Sequence, residues 1–308
     1  MKYTLLCAVL TLVLSVVTAS YVRSVETVRG TLRTPYATIY FEGSLDAVAE
    51  KIASLYPIIE ADLTGRLNLH LGYHPRILIL NDRHLFQKMV GSSFFVAIAV
   101  PQKRLIVIDY SRMTGHPFTL RTTLKHELCH LLLHDYVAHG TLPRWLDEGI
   151  AQWSSDGMAE IIMKRNRFIL RRAALTGRYI PLEHLENYFP AEENALLLAY
   201  EESKSIVEYI IEHHGMKALM NILEHLRNGD TVTDAVLTSL SIPLSELETD
   251  WQDDLRRKTS WLSFVSRYLY EILFFMAAML SIWGFAKLLK KRRDYEKSDT
   301  DDDDLFFA

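Results

Sequence analysis

The segment from Lys125 to Asp135 reads KHELCHLLLHD, with histidines at 126, 130 and 134 and a glutamate at 127. Residues four apart stack on one face of a helix, so His126 and His130 can aim imidazole nitrogens at a single ion. Glu127 is turned by about 100° around the same helix, off the ion but near enough to contact a water beside it. An H-E-x-x-H pattern of this kind suits zinc, which takes two imidazoles and a carboxylate and keeps one position open for hydrolytic chemistry. His134 extends the same face. Each turn rises about 5.4 Å, so two turns beyond His126 it is poorly placed to share a tetrahedral ion. It reads better as a helix-surface histidine or as one held behind the ligands. A metzincin continuation needs Gly at 133 and His at 136, where this chain has Leu133 and Tyr136, and is excluded. Cys129, inside the motif, reads as a small buried hydrophobe rather than a reactive thiol, and Leu131, Leu132 and Leu133 as anchors of the helix in the core.

A third ligand must come from elsewhere. The candidate is Glu148, in LPRWLDEGIAQW (Leu142 to Trp153). A second helix packed on the first brings a carboxylate opposite the two histidines, and Gly140 and Pro143 permit the reversal. Asp147 and Glu148 also suit the first turn of a helix, where the dipole favours acids. The residues by themselves leave both explanations standing.

The elements that would position these groups fall into two parts. Before residue 119 the chain mixes strands and helices: a strand at Ala37 to Gly43, a helix over Leu45 to Leu67 capped by Ser44 with Val48, Ile52, Leu55 and Ile59 on its apolar face, and a strand at Arg76 to Asp82. A hairpin follows over Phe94 to Tyr110 around Pro101-Gln102-Lys103. After Thr119 the pattern is helical: Leu120 to Val137, a helix opened by Pro143 in its first turn, then Ala195 to His214, Met216 to Arg227, Thr233 to Ser239 and Pro243 to Arg257. A small mixed sheet packed on an H-E-x-x-H helix, followed by a helical C-terminal lobe, is an α+β arrangement.

With its surroundings, the motif resembles the gluzincin metallopeptidases, and within them the thermolysin-like peptidase MA-like domains. HELCH followed by TLPRWLDEGIAQW is similar to that family's metal-site helices. The later Ala199-Tyr200-x-x-Ser203 start and the closing Glu248-x-x-Trp251 are similar to its C-terminal lobe. The resemblance runs from about Leu78 to Trp251 and is most specific over Thr119 to Trp153. It implies a zincin-like fold, one zinc ion held by His126, His130 and Glu148, and Glu127 as general base. It also implies Tyr200 as a phenol donating to the transition-state oxyanion, a packed tyrosine being the plain alternative; Tyr110, Tyr136 and His184 are weaker candidates for that role. The substrate would be a peptide, its strand paired to the edge of the sheet in the Phe94 to Tyr110 hairpin.

The 308 residues, 23% charged and 49% hydrophobic with a net charge of -4, have a globular composition, and no basic stripe points to nucleic acid. The ends differ. Met1-Lys2, an apolar run from Leu5 to Val17 and the small residues Thr18-Ala19-Ser20 read as a signal peptide over residues 1–20. Tyr268 to Leu289 reads as a membrane span, with aromatics before it and Lys290, Lys291, Arg292 and Arg293 after it. By the positive-inside rule this places residues 21–260 outside the cytoplasm, with 21–118 the sheet-containing part and 119–260 the helical part. Residues 261–289 form the span and its approach, and residues 290–308 a cytoplasmic tail ending in an unstructured acidic run. Two cysteines, Cys7 in the leader and Cys129, leave no intrachain disulfide once the leader is cut. The resulting expectation is a membrane-anchored zinc metallopeptidase. The competing expectation is a catalytically degenerate peptidase-like domain serving as an anchored interaction module.

Overall fold

Strand β5 (Leu105–Asp109) is buried along its whole length, and β3 (Arg76–Leu80) along all but its first residue. Near-continuous apolar runs of this kind belong in the middle of a sheet covered on both faces. A computed structural model, which describes residues 30–91, 94–113, 119–155 and 168–303, places them there. The five-stranded sheet has the order β1-β2-β3-β5-β4, with β1 (Gly30–Arg33), β2 (Thr38–Phe41) and β4 (Ala97–Val100) completing it. β2, β3 and β5 run parallel, aligning Ile79 with Ile108, while β1 and β4 are antiparallel edges. β4 and β5 form the expected hairpin, turning through a single 3₁₀ turn at Pro101–Lys103.

Alternation decides what covers each face. Leu78, Leu80, Leu105 and Val107 pack with Phe86 and Met89 of helix α2 (Arg83–Val90). Ile77, Ile79, Ile106 and Ile108, the intervening residues, are also fully buried and point to the opposite face. There helix α1 (Asp46–Leu67) and helix α3 (Leu120–Val137) pack on the strands and on each other. α3 starts where Thr119 Oγ1 accepts the Thr122 amide, and carries the whole H-E-x-x-H segment. Lys125, one residue before His126 and almost fully buried, reaches Asp62 of α1 at 2.6 Å, which fixes α3 against the older part of the core. Hydrogen bonding from Lys125 is the main reason the Asp62 carboxyl sits below its ordinary pKa.

The helical lobe consists of α4 (Arg144–Ser154), α5 (Ile169–Thr176), α6 (Glu193–Arg227), α7 (Val232–Leu240) and α8 (Leu244–Asp303). α6 joins the two expected helices across Gly215, whose φ of 83° lies in the region that favours glycine. α4 is the lobe's link to the site: it packs on α3 and extensively on α6.

Some expectations change. Ser44 does not cap α1. Leu45 holds the N-cap position with no side-chain bond, its amide donating to Glu42 and its side chain buried, so apolar anchoring replaces the cap. The buried stripe of α1 is Ala49, Ile52, Tyr56, Ile59, Leu63 and Leu67, one position around from the Val48 and Leu55 expected. Pro143 is the N-cap of α4 rather than part of its first turn. β1, α2 and α5 were not anticipated. The acidic run after the basic cluster is helical as far as Asp303, no Gly or Pro interrupting it.

The chain divides into two compact units, one reaching to Gln252 and one beginning at Asp253. Within the second, Tyr268–Arg292 is a helical stretch of 25 residues, long and apolar enough to cross a membrane, with none of it buried. At 1.5 Å per residue it spans about 37 Å, more than the ~30 Å of a hydrocarbon core. The expected leader, residues 1–20, lies outside the described residues.

Candidate metal centre

α3 and α4 meet so that three ligand atoms converge. His126 Nε2 and His130 Nε2 are 3.2 Å apart, and each is 3.6 Å from Glu148 Oε2. All three residues are buried. Ligands at about 2.1 Å from a tetrahedral zinc would lie about 3.4 Å from one another, so the triangle has the dimensions of a zinc site. The chemistry of the donors agrees. Among the described residues Glu148 Oε2, which is buried, has no hydrogen-bond partner, an arrangement that is costly unless a cation takes it. The residues therefore fit a zinc ion.

Each donor is held from behind. His130 Nδ1 donates to Asp147 Oδ1 at 2.7 Å, which turns Nε2 toward the other two donors. Asp147 Oδ2 is 3.1 Å from His134 Nε2. Glu148 Oε1 receives the Tyr200 hydroxyl at 3.4 Å and lies 3.6 Å from an Arg144 guanidinium nitrogen. Ser155 Oγ approaches His126 Nδ1 at 3.5 Å. Gly149, directly after Glu148, makes the packing possible: a Cβ there would run into the Ser203 carbonyl and Val207 of α6. Gly140 does the same for the α3–α4 connection, where a Cβ would strike the Leu226 carbonyl.

Environment separates the two glutamates. Burial pushes the Glu127 carboxyl above its ordinary pKa, only partly opposed by His126 and His130. Burial acts the same way on Glu148, but His130 and His126 outweigh it and keep Glu148 below the usual carboxylate range. One acid is thus poised to take a proton and the other to stay ionised, the division that acid–base sites use. Burial alone would lower His130, yet Asp147, Glu148 and Glu127 raise it to about 10. Asp147 is held well below its ordinary value, because the charges and hydrogen bonds of His130 and His134 overcome its burial. Burial, then Glu148, keeps the Tyr200 phenol protonated far above neutrality.

These groups open into a cavity of about 530 Å³ whose wall includes Ala97 to Ala99 of edge strand β4, Val96 just before it, Glu127, Arg144, Gln152 and Tyr200. The Ala99 amide donates to Glu127, so the strand edge and the acid are in direct contact. His126, Glu127, His130, Glu148 and Tyr200 are brought together. Tyr110, Tyr136 and His184 are not in the cavity wall, and Tyr136 instead lies against the Arg227 guanidinium. Cys129 faces the core, fully buried, its thiol pushed up to about 12 by that burial. Asp147 and Arg144 as partners of the site were missed from sequence. Asp147 was visible only as an acid suited to a helix N-terminus, and nothing in the local pattern distinguishes Arg144 from a surface arginine.

A family model described as the Peptidase MA superfamily matches residues 85–257. The chain belongs to that superfamily. The match takes in the β4–β5 hairpin, the H-E-x-x-H helix and the helical lobe as far as residue 257. Comparison with curated proteins returns no match. Among solved structures, the chain is similar to a mutant of the M1 zinc metallopeptidase of Deinococcus radiodurans, with 14% identity and a TM-score of 0.43, over 74% of this chain and 50% of that one. It is also similar to Legionella pneumophila aminopeptidase A in complex with aspartic acid, with 12% identity and a TM-score of 0.42, over 70% of this chain and 26% of that one. The chain therefore spans half the length of the first structure and about a quarter of the second.

Proposed function

We propose that this protein is a membrane-anchored zinc metallopeptidase that hydrolyses peptide bonds at the His126, His130 and Glu148 centre. The observation that carries the reading is the orphaned, buried Glu148 Oε2 aimed with two imidazole nitrogens at one point. Zinc there would supply Lewis-acid polarisation of a carbonyl and acidification of a water. The chain's own residues do the rest. Glu127, raised in pKa and open to the cavity, takes the proton from the attacking water and delivers it to the leaving amine. Tyr200 donates its hydroxyl to the developing oxyanion. β4 is a sheet edge in the cavity wall, and the substrate strand pairs along it by β-augmentation. Tyr268–Arg292 anchors the chain, and the basic residues from Lys290 to Arg293 put the C-terminus on the cytoplasmic side and the catalytic domain outside it, after removal of the leader.

The test is metal content and turnover. Purified without chelator, the parent is expected to hold one zinc per chain and to cleave an unstructured protein substrate. Glu148→Ala is expected to lose the zinc while remaining folded. A folded parent with no zinc would end this reading and leave the anchored interaction module.

A further inference from the structure

His134, the third histidine of the opening segment, is not one of the three converging donors, yet it is tied to one of them. His130 and His134 are four residues apart on α3 and so face the same way. Asp147 projects from α4 between them and spends one oxygen on each: Oδ1 on His130 Nδ1 at 2.7 Å, Oδ2 on His134 Nε2 at 3.1 Å. We propose that His134 is a positioning residue, which locks the Asp147 carboxylate so that His130 presents Nε2 to the metal. The inference rests on the zinc reading of His126, His130 and Glu148.

The reason is geometric. Rotation about the last bond of an aspartate is soft, with a broad and roughly two-fold preference. One hydrogen bond to His130 leaves that rotation loosely determined. A second, on the other oxygen and from a ring seated one helical turn away, determines it. Asp147 is largely enclosed, at 14% side-chain exposure, so water is a poor substitute for the second donor. His134 is more open, at 35%, and stands in the cavity wall. The Nε2–H that the bond needs is present in the imidazolium and in one neutral tautomer, so the lock does not depend on the charge of His134. Partners behind metal ligands set ring orientation and tautomer, and losing one costs on the order of 10- to 100-fold in metal affinity. His134 is one step further out, and its loss belongs at the lower end of that range.

The test measures zinc affinity of the full-length, detergent-solubilised protein by competition with a chromophoric chelator, independent of turnover. His134→Ala is expected to weaken zinc binding on the order of ten-fold. His134→Gln, whose amide N–H can reach Asp147, is expected to recover most of it. On an Asp147→Ala background, His134→Ala is expected to add less than a two-fold loss, because the lock has nothing left to hold. Should His134→Ala fail to fold, His134→Asn, too short to reach, takes its place with the same expected loss. Zinc affinity within two-fold of the parent, even with a lowered Tm, would make His134 a packing residue and overturn the proposal while leaving the zinc reading intact. An equal loss on both backgrounds overturns it as well. A parent that binds no zinc removes the reading and this inference together.

Discussion

The Tyr200 hydroxyl donates to Glu148 Oε1 at 3.4 Å, from a helix 52 residues further along the chain. That is long for a bond between oxygens, so the phenol is held near the centre without being committed to it. A short rotation would re-aim it at a carbonyl oxygen. Its ring is pinned edge-on against Phe189, and the Gln152 amide donates to the Tyr200 carbonyl, so backbone and ring are fixed while the hydroxyl is not. Tyr200→Phe is expected to lower kcat on the order of 10²-fold with zinc content unchanged. Steady-state kinetics beside metal analysis check it. Unchanged kcat would reduce Tyr200 to a packing residue.

Glu127 is in the cavity wall, 4% exposed, accepting the Ala99 amide from the edge strand. Its position next to His126 but off the ligand triangle separates proton transfer from metal binding. Glu127→Gln keeps the size and the acceptor for Ala99 while removing the base. Turnover is expected to fall on the order of 10²- to 10⁴-fold with one zinc per chain retained. Full turnover in this variant would overturn the assignment of the base.

Much of the centre was readable because its geometry is local. His126, Glu127 and His130 lie within one helical turn, and the period of the helix alone fixes their relative directions. Glu148 needed a second helix to fold back, and only its resemblance to a family pattern separated it from a helix-dipole acid. Asp147 and Arg144 were not readable as partners, since their contacts depend on how α3 and α4 cross. The β-rich runs at Arg76 to Asp82 and Phe94 to Tyr110 are legible as a strand and a hairpin for the same local reason, whereas the burial of β5 in the middle of the sheet is not. α2 was missed although its signals are present: Asp82 caps it through the His84 and Leu85 amides, and Gly91 ends it at a φ of 72°. β1 has only four residues, exposed on alternate positions, and an edge strand of that kind carries little apolar pattern. The parallel order of the sheet is a long-range property that no window of sequence contains.

Gly149 is the contact on which the placement of Glu148 depends. A methyl at this position has nowhere to go, because the obstruction is the Ser203 carbonyl of α6, backbone that cannot rotate away. Gly149→Ala raises intrinsic helix propensity, which would stabilise an unobstructed helix by up to about 1 kcal/mol. Overpacking works against it, with typical costs of about 1–3 kcal/mol. The balance is expected to be a net destabilisation in urea unfolding together with weaker zinc binding, as α4 shifts away from α6. A variant as stable as its parent, with unaltered zinc affinity, would show that α4 is not held at this point.

Glu202 gives the fold a dependence on pH that the metal centre does not explain. It is fully buried on α6, and both carboxyl oxygens accept the Ile180 amide at 3.2 Å. Burial, reinforced by the charge of Glu248, raises its pKa to about 8. An acid whose folded pKa exceeds its unfolded value makes the native chain bind the extra proton. The resulting stability is fully present below the unfolded pKa near 4.5 and is lost as pH rises through about 8. Glu202 is therefore expected to take stability away between pH 5 and pH 8, its own share being no more than about 1.4 kcal/mol per pH unit. Glu202→Gln retains an acceptor for Ile180 and removes the titrating proton, so that share of the slope should disappear. Glu248 remains as a second acid raised by burial, its oxygen accepting the Leu182 amide, so a smaller slope of the same sign persists. Urea unfolding at pH 5, 6.5 and 8 compares the two. Identical slopes in parent and variant would mean that Glu202 is ionised in the native state, its charge balanced by water that reaches it.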